Sequence, residues 1–404
     1  MALRNLDINP TLISPLPLLT SSSAPPAKET SYVLELATSY YSDPDILQLW
    51  HQMLEVSNGP EKLYQSPQFL GYLISRNPKD TSCELFVLRR TLDRAIVGFV
   101  PVRVAKYPLE FRLGNKSVYK LTMRACQILG SLPLLDPAER NLTQFILPAL
   151  LSHYANCDFI HLQAVPQENI EGLDTSEAVS LYMLNGWRAC HTQPVPASLD
   201  EYLAKFTSKK RYNLARQIRQ LSKLAGPVEL IRIETQDQVL LMMNAFAALG
   251  MSRLTTNEAE YTRHLGMAKS GMLLTYVIRC GNEHIAIVYG FRSASVWHVY
   301  NIVCNQKYLH LSPGSSAIHL AIQDVIENLS LSSIDFGYGT PNADFRSTHV
   351  LKMRSRILAY RSNSMTAVLL KVHQALEAIN DSLIRRAKKL KSWYVSVKNR
   401  NLPI

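Results

Sequence analysis

The sequence predicts an α/β protein built from two similar halves, each with a mixed sheet flanked by helices. From residue 31 onward, short apolar runs with strand periodicity alternate with amphipathic helical segments, which is typical of sheets covered by helices. Both halves contain two helices, then a strand pair joined by a polar turn, then further strands and helices, which indicates a duplicated domain. At roughly 150 residues per domain, the 404 residues accommodate two such halves.

The composition is that of an ordinary globular protein. Hydrophobic residues make up 47% of the chain and charged residues 19%, which excludes a disordered or collagen-like chain. The apolar region Ile278–Phe291 is interrupted by charged and polar residues and is too short to cross a bilayer. The six cysteines lie far apart without a Cys-x-x-Cys pair, so the sequence predicts free thiols in a reducing cytosol, with neither a disulfide framework nor a metal site.

The first half begins after a leader. Residues 1–30 are predicted to be disordered, because prolines interrupt their apolar stretch and a segment rich in serine and proline follows it. Ser31–Thr38 alternates like a strand. Ser42-Asp43-Pro44 places a capping residue before a proline, and Ser66-Pro67 repeats this signal, so each predicts a helix start.

Strands and helices continue to alternate through the rest of the first half. Glu84–Arg89 and Ala95–Val104 are predicted to be strands joined by a short polar turn. A helix at Leu142–Tyr154 and a strand at Asp158–Ala164 follow. These elements define a predicted N-terminal domain over residues 31–192.

The second half opens at the proline-rich boundary Gln193-Pro194-Val195-Pro196. Lys205–Lys223 then carries seven basic residues and no acid on a predicted helix that ends at Gly226-Pro227. The C-terminal domain is predicted to span residues 193–366, and a basic tail occupies residues 367–404. The next elements are predicted to be helices at Gln236–Leu249 and Asn257–Lys269 and strands at Leu273–Arg279, Ile285–Phe291 and Ser295–Cys304.

The segment after the last of these strands is a candidate phosphate site. It contains Ser312-Pro313-Gly314-Ser315-Ser316 and continues as a helix, with serine as a natural N-cap and proline at the first helical position. Gly314, Ser315 and Ser316 are then expected to present free backbone N–H groups at the positive end of the helix dipole, where an anion binds. The same sequence also fits a helix that is simply well capped.

A short strand then ends in Asp335-Phe336-Gly337-Tyr338-Gly339, and with this segment the second half resembles the CelD-like acetyltransferases of cellulose biosynthesis. These belong to the GNAT superfamily and are related to the Fem-type transferases. Ser312-Pro313-Gly314 is similar to the family's helix start. The likeness spans roughly Ser31–Tyr360. It extends to the family's basic helix and first-half opening, which resemble Lys209, Arg211, Arg216, Arg219, Gly226 and Ser66-Pro67-Gln68-Phe69.

The sequence departs from the family pattern at two places. Tyr338 stands where the family usually has an arginine between the two glycines. Phe345-Arg346 stands where the family tends to have Tyr-Lys, so a positive charge is retained at Arg346 while the phenol is lost or displaced.

The resemblance implies tandem GNAT-like domains and direct transfer of an acyl group from acyl-coenzyme A, typically acetyl-coenzyme A, to an amine. In that fold the pantetheine arm lies between two diverging parallel strands, which would be Ser295–Cys304 and Ser332–Phe336 here. A backbone N–H near Asn301–Val303 would stabilise the oxyanion. The N-terminal domain, which lacks a phosphate segment, would shape the acceptor cleft. The implied cofactor-binding residues are Ile302, Val303, Ser312, Gly314, Ser315 and Ser316.

Two residues are candidates for catalysis. Asp335, at the end of its strand, would deprotonate the amine, and Tyr338, a phenol with an ordinary pKa near 10, would protonate the leaving thiolate. The competing interpretations are a structural cap for Asp335 and packing for Tyr338. Lys209, Arg211 and Arg346 are candidates for binding the coenzyme's 3′-phosphate or the phosphate of a lipid-linked sugar.

The net charge of +11 indicates an anionic partner. The tail is predicted to be a basic amphipathic helix with Trp393 and Tyr394 among its lysines, which favours adsorption to an anionic cytoplasmic membrane surface. The sequence therefore predicts a cytoplasmic enzyme, peripheral at the inner membrane face. By resemblance, its acceptor is an amine-bearing polysaccharide precursor or lipid-linked glycan.

Two alternatives remain open. A Fem-type aminoacyl-tRNA-dependent transferase shares the doubled fold, but the sequence lacks the long paired helical arm commonly inserted in that group. A nucleic-acid-binding protein without catalysis would also be basic. The chain has no helix-turn-helix, zinc-finger or RNA-recognition signature, so nucleic acid is not the expected partner.

Overall fold

A computed structural model describes residues 31–37, 42–57, 62–76, 81–114, 116–170, 173, 177–251, 258–293, 295–338 and 348–400. The predicted leader, residues 1–30, lies outside this part of the chain. The strands are β1 Tyr32–Leu36, β2 Ser82–Arg90, β3 Ile96–Leu113, β4 Lys116–Ile128, β5 Leu134–Leu135, β6 Phe159–Pro166, β7 Val179–Pro194, β8 Val228–Ile233, β9 Thr275–Cys280, β10 Glu283–Arg292, β11 Val296–Cys304, β12 Ser333–Tyr338 and β13 Val350–Arg361.

The helices cover the faces of the sheet. Short 3₁₀ turns occur at Pro137–Leu142, Gln167–Asn169 and Gln306–Leu311. The α-helices are α1 Pro44–Val56, α2 Lys62–Gln65, α3 Pro67–Arg76, α4 Thr143–His153, α5 Leu199–Ala204, α6 Ser208–Ala225, α7 Val239–Ala248, α8 Glu258–Lys269, α9 Pro313–Asn328 and α10 Met365–Arg400.

The predicted sheets of the two halves join into one 13-stranded sheet. Its order is β1-β2-β3-β4-β6-β13-β7-β12-β11-β10-β9-β8, with β5 paired to β3 outside this path. The join arises because each half places its last strand in the other half: β7 pairs with β12, and β13 pairs with β6. These exchanged strands also pair with each other, antiparallel, from Val350–Thr192 to Arg361–Val179.

Among the described strands, each half contains one parallel pair with a helix between its two strands. β4 pairs with β6 across helix α4, and β11 pairs with β12 across helix α9. Parallel neighbours need such a crossover because the chain must return to the same edge of the sheet. The repeated β–α–β unit places the two halves in equivalent arrangements about the exchanged strands.

The predicted helix starts form as expected in the first half. Asp43 Oδ1 accepts the backbone N–H of Asp45 at 2.9 Å, with Pro44 at the first helical position of α1. Ser66 Oγ accepts the backbone N–H of Phe69 at 3.1 Å at the start of α3. Each cap satisfies a donor that the first helical turn leaves unpaired.

Helices of the first half also pack on the second half. Leu63 of α2 and Tyr72 of α3 share an apolar core with Met242, Phe246 and Tyr289. Because α2 is anchored there, residues of the first half lie directly over the strands of the second half.

The remaining sequence-based expectations concern cysteines and membrane spans. All six cysteines are free, as predicted, and four of them are buried. Across the described residues, no helix combines the length and apolarity that a membrane crossing requires.

Candidate active site

Strands β11 and β12 diverge in the second half and leave a crevice. Their parallel pairing runs from Val296–Ser333 to His298–Asp335 and goes no further among the described residues. Residues 300–302 of β11 are exposed although the strand lies inside the sheet. Because the pairing with β12 stops at His298, the backbone edge of β11 beyond this residue has no strand partner on that side among the described residues.

Backbone irregularities in both strands produce this divergence. Tyr300 is an extra residue in β11, because Val299 and Asn301 pair with the consecutive residues Gly290 and Tyr289 of β10. Such a bulge bends its strand. In the other strand, β12, Gly337 has φ +61° and lies at a shift in the register between β12 and β7. After this shift β12 continues to pair with β7. A left-handed conformation of this kind favours glycine, so the glycine of the Asp-Phe-Gly segment has a local structural reason.

A buried charged cluster lies where the two strands part. Asp335 is 7% exposed and its Oδ2 lies 3.2 Å from Nη1 of Arg354, which is 4% exposed, and 3.5 Å from Nδ1 of His298. The backbone N–H of Gly337 donates to Oδ1 at 3.0 Å. Burial by itself would raise the pKa of the Asp335 carboxyl, but the His298 contact, the Arg354 guanidinium and the Gly337 N–H outweigh it and lower the pKa to about 2.

His298 is the member of this cluster with a free basic atom. Its side chain is buried, its Nδ1 faces the Asp335 carboxylate, and its Nε2 has no hydrogen-bond partner among the described residues. A carboxylate beside one ring nitrogen favours the proton there, which leaves the other nitrogen as an acceptor. The arrangement can therefore remove a proton from a group that enters the crevice.

Tyr64, from helix α2 of the first half, completes the cluster. Its ring lies 5.5 Å from the His298 ring, centre to centre. Tyr64 is 38% exposed as a whole residue. Partial loss of hydration around the phenol, followed by the negative charge of Asp335, raises the pKa of Tyr64 above its ordinary value. The phenol therefore keeps its proton at neutral pH and can donate a hydrogen bond.

The depressed pKa of Asp335 predicts that the fold loses stability in acid. Because the folded-state pKa of about 2 lies below the ordinary 3.8, ionised Asp335 stabilises the fold at neutral pH, and this contribution is lost as the pH falls through that interval. The shift corresponds to about 2 kcal/mol. Asp335→Asn should remove this part of the pH dependence in urea unfolding, whereas Asp93→Asn, at the exposed Arg90–Asp93 pair, should not. An unchanged pH slope in the Asp335 variant would contradict the ion pair.

The start of helix α9 differs from the sequence-based expectation. Ser312 adopts a left-handed conformation, with φ 55° and ψ 51°, and its side chain caps no N–H. Its carbonyl accepts from the backbone N–H groups of Ser315 and Ser316 at 3.1 and 3.2 Å. The expectation of three free donors at this helix start is therefore wrong, because this turn already pairs two of them.

Gly314 packs tightly against strand β11. A Cβ atom at this position would lie 3.1 Å from Cys304 Sγ and 3.4 Å from Ile302 Cγ2. Burial raises the pKa of the Cys304 thiol, and a hydrogen bond from the Gly314 N–H opposes this shift. The glycine thus allows the helix start to lie close to the open strand. Ile302, exposed, and Val303, half-buried, lie on that same open stretch.

Tyr338 lies at the end of β12, where it pairs with Cys190 of β7. The Arg188 guanidinium lies 4.3 Å from the centre of its ring. Its hydroxyl is buried and has no hydrogen-bond partner among the described residues, and burial raises the pKa of this phenol. The phenol of Tyr338 therefore keeps its proton at neutral pH, and its role as a proton donor stays a prediction.

The predicted substrate-binding residues have different environments. Arg211 donates to the carbonyls of Leu203 and Phe206, both at 3.3 Å, so its guanidinium closes the corner between α5 and α6. Lys209 is exposed in the first turn of α6, a helix that packs on α9 and on the turn before it. Arg346 lies outside the described residues.

The equivalent position of the first half holds a cavity of about 530 Å³. There the β4–β6 pairing ends at Ile128–Leu162, and Ser131 Oγ donates to the Ala164 carbonyl at 3.2 Å across the opening. The cavity is lined by both polar and apolar side chains of the first half, among them Glu168, together with Lys352 and Arg354 of β13. Arg354 therefore borders both this cavity and the Asp335 carboxylate.

Residues 208–346 match the model of the family described as "Acetyltransferase (GNAT) domain". The matched segment contains the diverging strands, helix α9 and Asp335. The protein has a tandem GNAT fold. Solved structures support the doubled arrangement: FemX is 9% identical, with a TM-score of 0.55, covering 81% of this chain and 98% of FemX.

Two further structures show the same fold. A tandem GNAT protein from the clavulanic acid biosynthesis pathway is 8% identical, with a TM-score of 0.50, covering 83% of this chain and 99% of its own. A conserved protein of unknown function from Bacteroides thetaiotaomicron is 10% identical, with a TM-score of 0.51, covering 81% of this chain and 100% of its own. At these identities the likeness concerns the fold. No protein among the curated sequences matches this chain.

The family resemblance pointed to Asp335 and to the diverging strands, whereas His298, Arg354 and Tyr64 were not among the predicted site residues. His298 is a polar residue inside an apolar strand, which was a usable signal. Arg354 and Tyr64 come from β13 and from the first half, so only the folded chain brings them to Asp335.

Proposed function

We propose that this protein is an N-acyltransferase that transfers an acetyl or longer acyl group from acyl-coenzyme A to an amine. The main observation in its favour is the open edge of β11, which ends at a buried histidine–carboxylate pair. A thioester arm laid along this edge would bring its carbonyl close to a proton acceptor. The family match over residues 208–346 supports the same reaction class.

The donor would be held by groups along the crevice. Ile302 and Val303 would line the pantetheine arm, and the start of α9, from Ser312 to Ser316, would lie near the diphosphate. Because the turn pairs the N–H groups of Ser315 and Ser316, much of the attraction must come from the helix dipole and from the basic face of α6. Lys209 is the exposed cation of that face proposed to contact a phosphate.

The residues around the crevice support one balanced reaction. His298 Nε2 would take a proton from the amine while the amine nitrogen forms its bond to the thioester carbonyl carbon. The carbon–sulfur bond then breaks, and the imidazolium returns the proton to the leaving sulfur. Asp335, with a pKa of about 2, is a weak base, so we assign it the orientation and charge stabilisation of His298. Tyr64 or Tyr338 would donate a hydrogen bond to the developing negative charge.

The acceptor would enter from the first half. The cavity beside Arg354 presents hydroxyl and amide groups, the Glu168 carboxylate and the cations Lys352 and Arg354. Such a lining suits a hydroxylated acceptor that carries an amine or an anionic group. An amino sugar of a polysaccharide precursor or a lipid-linked glycan has this chemistry. The CelD-like resemblance of the sequence points in the same direction.

Acetyl-coenzyme A is expected to raise the melting temperature of the protein. Ligand at 100 times its dissociation constant contributes about 2.7 kcal/mol to folding stability. Gly314→Asp should abolish the shift, because its carboxylate would place negative charge beside the diphosphate. Gly314→Ala, whose Cβ would need Cys304 Sγ to give by a few tenths of an ångström, should retain most of it.

Differential scanning fluorimetry and acyl transfer to a panel of amines would measure these effects. An undiminished shift in Gly314→Asp would exclude the α9 start as the diphosphate site. Transfer from an aminoacyl-tRNA, with no response to acyl-coenzyme A, would instead favour the Fem-type alternative. Salt-sensitive nucleic-acid binding with neither activity would favour the non-catalytic one.

A further inference from the structure

Helix α10 carries an exposed apolar stripe along its length. Its large apolar side chains recur mostly every three or four residues, which places them on one helix face, and they are between 47% and 82% exposed. The stripe consists of Met365, Val368, Val372, Leu376, Ile379, Leu383, Leu390 and Trp393.

Another face of α10 is fixed to the first half. His373 is 1% exposed, shares a hydrogen bond of 2.8 Å with the Tyr182 hydroxyl through Nδ1, and lies 3.0 Å from the Glu110 carbonyl through Nε2. Asn380 Oδ1 accepts the backbone N–H of Gly114 at 2.6 Å. These contacts set the rotation of the helix, so the exposure of the stripe is a consequence of how the helix docks.

The tip of the β3–β4 hairpin extends this apolar surface. Gly114 belongs to that tip, and its neighbours Leu113, Val118 and Tyr119 are 63%, 62% and 59% exposed. The hydrogen bond to Asn380 therefore places a second group of exposed apolar side chains beside the stripe. A large exposed apolar surface of this kind marks an interaction site.

The charge of helix α10 indicates which kind of partner binds this surface. Beyond Asp381 the helix contains seven basic residues and no acid: Arg385, Arg386, Lys388, Lys389, Lys391, Lys398 and Arg400. A second copy of this chain packed in parallel would bring these like charges together. A nucleic acid would satisfy the charges and leave the apolar side chains exposed. An anionic lipid surface satisfies both features, with apolar groups at the acyl boundary and cations among the headgroups.

We propose that α10 and the β3–β4 hairpin tip dock this protein on an anionic lipid surface. In this arrangement the apolar stripe of α10 lies in the plane of the membrane–water interface. The face of the helix that contacts the first half holds the sheet above the membrane surface. The proposal goes beyond acyl transfer, and its tests do not depend on enzymatic activity.

Flotation of the full-length protein with vesicles measures this docking. The protein should bind vesicles that contain phosphatidylcholine and phosphatidylserine in a ratio of roughly 7:3. It should bind much more weakly to vesicles of phosphatidylcholine alone. The double variant Leu376→Glu/Leu383→Glu should lower binding at least tenfold. Leu92→Glu is the matched control, because Leu92 is 81% exposed in the turn at the opposite end of β3.

Charge is tested separately from the apolar stripe. Replacing Arg385, Arg386, Lys388 and Lys389 by glutamine should lower binding to anionic vesicles by roughly 100-fold or more, since each basic residue near such a surface contributes about fivefold. Circular dichroism and thermal melts of each variant verify that the fold is intact.

Three outcomes would overturn the proposal. Wild-type protein that stays unbound at low salt would exclude a lipid surface. A dimer that Leu376→Glu/Leu383→Glu dissociates would identify a second copy as the partner. Binding to nucleic acid that depends on the four basic residues, with no vesicle binding, would identify a polynucleotide.

Discussion

His298→Gln is expected to lower kcat/KM for acyl transfer by roughly 10²- to 10⁴-fold, the range that one general base contributes. Glutamine keeps a polar side chain at this buried position but cannot accept and return a proton. The KM for the acyl donor should change little, because the contacts proposed for the diphosphate and the pantetheine arm lie elsewhere. Steady-state kinetics across pH would measure both effects, and the limb of the pH–rate profile that reports the base should disappear in the variant.

Two companion variants separate catalysis from structure. His284→Gln alters a histidine at the turn between β9 and β10 and should leave the rate unchanged. Asp335→Asn should also lower kcat strongly, because an amide beside Nδ1 no longer stabilises the imidazolium that forms during the reaction. A His298→Gln enzyme with wild-type kcat and an unchanged pH profile would reject the assigned base. Absence of any transfer by the wild-type protein would reject the proposed function itself.

Arg354→Met is expected to lower the free energy of unfolding by about 3–5 kcal/mol, because it leaves the Asp335 carboxylate buried without its cation. Chemical denaturation at neutral pH measures this loss. Arg279→Met is the matched control: its guanidinium lies 2.7 Å from Glu229, but the two side chains are 40% and 52% exposed, so the loss should be about 1 kcal/mol or less.

A double variant tests whether the loss comes from the buried charge. Arg354→Met combined with Asp335→Asn should be more stable than Arg354→Met alone, since the asparagine carries no charge to leave unpaired. Equal stability of the single and double variants would show that Arg354 acts through packing and not through its ion pair.

Local signals predicted most of the helices correctly. α1 and α3 begin at their proline signals, and α6 and α8 occupy the predicted segments, because capping and periodicity act within one or two helical turns. Three long strands were missed: Lys116–Ile128, Val179–Pro194 and Val350–Arg361. The first of these is mostly exposed at the hairpin tip, and the other two are the exchanged strands, so their environments depend on distant parts of the chain.

The candidate site likewise combines features that the sequence predicted with features that depend on distant parts of the chain. The resemblance to the CelD-like family located the diverging parallel strands, and the Asp-Phe-Gly segment pointed to the carboxylate of Asp335. The protonation state of that carboxylate depends on Arg354 and His298, and the cover over His298 depends on Tyr64 of the other half. Capping and periodicity are properties of neighbouring residues, whereas a buried charge is stabilised by groups that meet only when the exchanged strands pair, and no local pattern encodes that meeting.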